Sequence, residues 1–94
     1  MRIRWLKRAS QDLNHVQDYI AQDNPHAALE TVLSIIETAE KLIEYPGIGK
    51  PGRIEGTREL VILGTPYFLP YRVKENRIEI MRVMHGAQKW PQKH

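Results

Sequence analysis

The chain has 94 residues, of which 41% are hydrophobic and 27% charged, with no cysteine and a formal net charge of +3. A chain this long makes one domain, residues 1–94, and folding buries roughly 60–65% of its unfolded surface, so a single modest core is all it can build. Disulfide scaffolds and cysteine-ligated zinc are excluded, charged residues do not run in disordered blocks, and no segment approaches the roughly 18 apolar residues that cross a bilayer.

The charge is unevenly placed. Residues 1–49 carry five Lys/Arg against seven Asp/Glu, a balance of −2, and residues 50–94 carry nine against four, a balance of +5. A concentrated basic half favours phosphate-bearing or acidic partners, and its structural alternative is a solvated surface. The basic start, Arg2 to Arg8, has no apolar run behind it, so no secretory signal is expected, and the cytoplasm is the expected compartment.

In chain order, residues 2–6 alternate as a short strand, with Ile3 and Trp5 on one face and Arg2 and Arg4 on the other. Ala9, Leu13, Val16 and Ile20 make one apolar stripe of a helix over residues 8–22, and Asp12 falls off the stripe into water. Asn24 and Pro25 start a second helix as N-cap and first helical residue. That helix carries Ala28, Val32, Ile35, Ile36, Ala39, Leu42 and Ile43 and runs to about Tyr45, before Pro46 and Gly47. So short a connection folds the two helices into an antiparallel hairpin. Residues 46–56 form a glycine-rich loop holding Lys50 and Arg53. Strands follow over Thr57–Leu63, Tyr67–Lys74 and Arg77–His85, joined by tight turns.

The order β-α-α-β-β-β predicts a two-layer α+β domain, a helical hairpin packed on one face of a mainly antiparallel four-stranded sheet. The other sheet face is expected to be open and to carry the basic half as a binding surface. Where the first strand joins is not determined.

Gly47-Ile48-Gly49-Lys50 is no phosphate loop, because Glu44 stands at the first glycine position and Pro51 follows the lysine. His15, His26, His85 and His94 lack paired ligand spacing, so no metal site is expected. RNA cleavage needs a base for the ribose 2′-OH, cations for the charged phosphorane and an acid for the leaving oxygen. Arg58, Arg82 and Lys50 or Arg53 offer charge, His85 an acid or base, and Glu55 or Glu59 a base. The structural alternative is strand-stabilising pairs of the Arg58–Glu59 and Arg82–Glu79 kind. Arg82 and His85 share a face only if the strand bulges near Met84 to Gly86. Tyr71 and one of Tyr67 and Phe68 are expected in the core, and Trp90 is either a clasp on the domain or a partner contact.

Several segments keep a shared order and spacing: Ala9 with Asp12-Leu13, Tyr19-Ile20-Ala21 with Asn24-Pro25-His26-Ala27-Ala28, Pro46-Gly47-Ile48-Gly49 with Gly52-Arg53, Gly56-Thr57-Arg58-Glu59-Leu60-Val61, Tyr71-Arg72-Val73, Ile78 to Gly86, and Gln88-Lys89-Trp90-Pro91. Together they closely resemble the RelE/ParE toxin superfamily, which includes members called plasmid-stabilisation proteins. The resemblance implies a growth-arresting toxin held in a hetero-oligomer by a cognate antitoxin, with no cofactor and no membrane partner. RelE-like members cut messenger RNA on the ribosome, and ParE-like members block DNA gyrase. By position, Arg58, Arg82 and His85 match residues of the RNA-cleaving branch, with Lys50, Arg53 and Arg72 as substrate-binding residues. Gly86 follows His85 near the end of the chain, where several RNA-cleaving members carry a tyrosine. The expectation drawn from the resemblance is a ribosome-dependent mRNA endoribonuclease, with a gyrase inhibitor lacking nuclease activity as the alternative.

Overall fold

The computed structural model describes residues 1–91, so His94 lies outside the described residues. The elements are β1 (Arg2–Trp5), α1 (Lys7–Ala21), α2 (Pro25–Glu40), β2 (Lys50–Pro51), β3 (Arg58–Val61), β4 (Tyr67–Lys74), β5 (Arg77–Ile80) and β6 (Met84–His85). Among the described residues no helix is long and apolar enough to cross a membrane.

Local chemistry explains the helical hairpin. The Asn24 side chain accepts the Ala27 backbone N–H at 3.0 Å, and Pro25 occupies the first turn, where its missing N–H costs nothing. Ala9 and Val16 of α1 and Ala28, Ile35 and Ala39 of α2 are buried. The second helix stops at Glu40, short of the expected Tyr45, and its last turn tightens into a 3₁₀ segment over Lys41–Ile43 that buries Leu42. The backbone keeps turning as far as Tyr45, whose N–H donates to the Lys41 carbonyl at 2.9 Å, and Pro46 ends it there, since the residue before a proline is driven out of helical geometry.

The sheet has the order β1-β5-β4-β3-β2, with β6 also paired to β4. β1 lies parallel to β5, Ile3 opposite Ile78 and Trp5 opposite Ile80, and the other pairings are antiparallel. Glu75 and Asn76 both have positive φ, 51° and 61°, which suits the tight turn that sets Arg72 opposite Glu79. The expected architecture is present, but the sheet is larger than four strands. A two-residue β2 forms inside the expected loop, and the expected last strand is broken between Ile80 and Met84.

That break is a bulge. Tyr71 pairs with Ile80, whereas Phe68 pairs with Met84, so the register slips by one and Leu69 is opposed by both Arg82 and Val83. The bulge falls slightly before the place the sequence required. It turns Arg82 and His85 to the same side, where the helices lie. The core between helices and sheet holds Ile35, Leu42, Leu60, Ile62, Leu69, Tyr71, Ile78, Ile80 and Val83.

The opposite sheet face is open only in part. Glu59, Phe68 and Glu79 sit on it by register, yet each is buried, at 1%, 6% and 3% exposure. The loop carrying Arg53 covers the end near β3 and β6: its backbone N–H reaches Glu59, its guanidinium lies over the Phe68 ring, and it donates to the Trp90 carbonyl. At the end formed by β1, β5 and β4, Arg2 and Arg4 are exposed and Arg72 and Arg77 half-buried.

Candidate functional site

Asp12 overturns the expectation that it stays wet. Its carboxylate accepts Arg82 Nε at 2.7 Å, an Arg82 terminal nitrogen at 3.1 Å and the Val83 backbone N–H at 3.0 Å. Arg82 is itself buried, with the Trp90 ring 6.0 Å from its guanidinium carbon, so Trp90 acts as a clasp. The pair joins α1 to the bulge. Nε and one terminal nitrogen of Arg82 are thus taken up by Asp12, so fewer of its donors are left for a phosphorane than a free arginine offers.

His85 is exposed, edge-on to the Tyr67 ring at 5.5 Å. Its Nδ1 accepts the Ala87 N–H at 3.0 Å, which leaves the neutral ring's proton on Nε2. It lines a groove of about 660 Å³ with Val16, Tyr19 and Ile20 of α1 and with Tyr67. Burial, with a smaller contribution from Tyr19, pushes the Tyr67 hydroxyl pKa up.

Arg58 serves a different place. It lies opposite Tyr71, and a terminal nitrogen donates to the Gly49 carbonyl at 2.8 Å. The Tyr71 hydroxyl accepts the Gly49 N–H at 2.9 Å and donates to the Pro46 carbonyl at 2.8 Å. Arg58 and Tyr71 therefore brace the loop that follows α2. Arg58 and His85 flank β4 on opposite sides and are four residues apart in register. At about 3.3 Å per residue and 4.8 Å per strand, their backbones are about 16 Å apart. Buried Leu60 and Leu69 lie between. The structure sets Arg58 apart from His85, while Arg82 and His85 face the same side and Asp12, the partner of Arg82, lines the groove of His85.

Lys50, Arg53 and Arg72 belong to the opposite face. Lys50 and Arg53 line a pocket of about 230 Å³ with Glu59 and Phe68. One Glu59 oxygen accepts the Arg53 N–H at 3.0 Å, and the other, 3.5 Å from Arg53 Nε, has no hydrogen bond. Arg72 lies apart from them. Its Nε donates to Glu79 at 2.7 Å, and Arg77 donates to Glu79 at 3.0 Å and to Glu75 at 2.9 Å. The Arg72 hydrogen bond, aided by Arg77 and opposed by desolvation, holds the Glu79 pKa below the ordinary carboxylate range. The pairs differ from the structural alternatives of the sequence: Glu59 goes to Arg53, Glu79 to Arg72 and Arg77, and Arg82 to Asp12. The Arg72–Glu79 pair was legible, because the two-residue turn sets that register. The Asp12–Arg82 pair, 70 residues apart, left no local signal.

With this geometry in view, the comparisons with known proteins are specific. The family model described as the ParE toxin of the type II toxin–antitoxin system parDE matches residues 3–90. The chain belongs to that family. As a member of the ParE toxin family it is 47% identical over 91 residues to the protein Y4kP of Sinorhizobium fredii, covering 97% of this chain and 94% of that one. It is 37% identical over 84 residues to Toxin RelE2 of Caulobacter vibrioides, covering 89% and 93%. Among solved structures it resembles a chain of the chromosomal ParDE toxin–antitoxin system from P. aeruginosa. That match has a TM-score of 0.82 at 32% identity and covers 90% of this chain and 95% of that one. A chain of the toxin–antitoxin complex RelBE2 from Mycobacterium tuberculosis matches with a TM-score of 0.65 at 29% identity, covering 89% and 95%. The family carries both printed names, RelE and ParE, so this ParE-family chain's chemistry has to be argued from its own residues.

Proposed function

We propose that this type II toxin arrests growth by binding its target, DNA gyrase, rather than by cutting RNA, and that a cognate antitoxin neutralises it in a hetero-oligomer in the cytoplasm. The supporting observation is the separation of Arg58 from His85, together with the engagement of Arg82 by Asp12. Cleaving a phosphodiester requires base, acid and cation around one phosphate, within a few ångströms of productive geometry. Here Arg82 is bound to Asp12, Arg58 braces Gly49, and the backbone of His85 stands about 16 Å from that of Arg58 by register. The gyrase target follows from the resemblance to ParE-like members. The antitoxin follows from the solved relatives, which are toxin–antitoxin systems.

The test induces the gene and compares ribosome-bound transcripts with DNA supercoiling, for the wild type and for His85→Ala. The expected result is intact transcripts, inhibited supercoiling by purified gyrase, and retained toxicity of His85→Ala. Transcript cuts that disappear in His85→Ala would return the ribosome and its mRNA as the target.

A further inference from the structure

We infer that the open end of the sheet, formed by β1, β5 and β4, is a docking surface for the backbone of duplex DNA. Register places six ionic side chains there in two cross-strand rows. Arg2 lies opposite Arg77, which lies opposite Lys74, and Arg4 lies opposite Glu79, which lies opposite Arg72. The first row sets three cations abreast, an arrangement that destabilises a sheet by like-charge repulsion. Glu75 and Glu79 relieve it only at Arg77. Folding alone gives no reason for such a row, whereas a polyanion resting on it does.

The surface is prepared for phosphate. Arg2, Arg4 and Lys74 are exposed and enter no ion pair among the described residues. Arg72 is anchored through Nε on buried Glu79, which leaves its terminal nitrogens as aimed donors. Arg2 and Arg4 stand about 7 Å apart along β1 and about 10 Å across two strands from Lys74 and Arg72, a span of a few backbone phosphates.

Duplex is favoured over single strand because the patch has no stacking platform among the described residues. Single-stranded nucleic acid is held largely by bases stacked on aromatic rings. Phe68, the aromatic on this sheet face, is buried under Arg53 at the other end. The surface therefore holds charge without base readout, the combination for sequence-independent backbone binding. This inference does not rest on the gyrase reading, since bare DNA carries its test.

The experiment measures fluorescence anisotropy of a labelled duplex of about 20 base pairs with the full-length toxin between about 50 and 200 mM salt. Binding is expected, with log affinity falling against log salt at a slope of about −3.6 for the four contacts of Arg2, Arg4, Lys74 and Arg72. The Arg2→Gln/Arg4→Gln/Lys74→Gln variant is expected to bind at least about tenfold more weakly at the low-salt end, with a thermal melt no lower than that of the wild type, since the row loses its like-charge repulsion. Lys74→Gln alone, at an exposed strand end, is expected to flatten the slope by about 0.9. Absence of duplex binding, equal binding by the folded triple variant, or tighter binding of single-stranded RNA of the same length would each overturn the inference. Supercoiling inhibition is read separately, so loss of one reading leaves the other standing.

Discussion

Replacing Asp12 by alanine tests the junction between α1 and the bulged strand. The substitution strands Arg82, a charged side chain at 8% residue exposure, and removes the acceptor of the Val83 N–H. Breaking a buried ion pair by removing one partner costs about 3–5 kcal/mol. The two side chains keep 10% and 14% exposure, so water softens the penalty, and about 3 kcal/mol is expected. A domain of this size is stable by about 5–14 kcal/mol, so the loss is a large fraction of the total. At about 4–8 °C per kcal/mol it lowers Tm by about 12–24 °C. Urea titration of the purified toxin measures the change directly. Adding Arg82→Met to Asp12→Ala is expected to recover part of the loss, because an apolar side chain needs no partner. A loss below about 1 kcal/mol for Asp12→Ala would refute the reasoning, as it would place the pair with exposed surface bridges.

Tyr71→Phe is expected to cost about 1–3 kcal/mol in urea titration, because it leaves the buried Gly49 N–H without its acceptor. Gly49→Ala is expected to cost about 1–3 kcal/mol in the same assay: a Cβ there would stand 2.6 Å from Tyr71 Cε1 and 3.0 Å from the Glu59 carbonyl. The depressed Glu79 pKa makes stability fall in acid. Its contribution is complete above the unfolded value of about 4.3 and is lost as pH drops through the folded one, so melts of wild type and Glu79→Gln should converge with acidification. The raised Tyr71 pKa acts in the opposite direction: its contribution is present below about pH 10 and is lost as pH rises, so Tyr71→Phe should show less alkaline destabilisation than wild type.

The parts legible in the sequence are those decided by neighbours along the chain. Asn24-Pro25 caps the second helix, the three- and four-residue stripes name the buried faces, and the Glu75-Asn76 turn sets the Arg72–Glu79 pairing. Candidate site residues were legible as types but not as a constellation. Lys50 and Arg53 do share a pocket, but Arg58 is separated from His85 and Arg82 is held by Asp12. Residue type and spacing do not reveal which acid an arginine meets, and here Asp12, Glu59 and Glu79 each take one or two.

Composition, periodicity and turn chemistry by themselves determined two amphipathic helices over a basic sheet, because each depends on contacts within a few residues. The tertiary structure decided that β1 runs parallel beside β5, that one extra residue bulges opposite Leu69, and that Asp12 leaves water for Arg82. These outcomes are long-range pairings. A one-residue slip in register changes which face a side chain occupies, and neither the slip nor the partner 70 residues away is written in the local pattern.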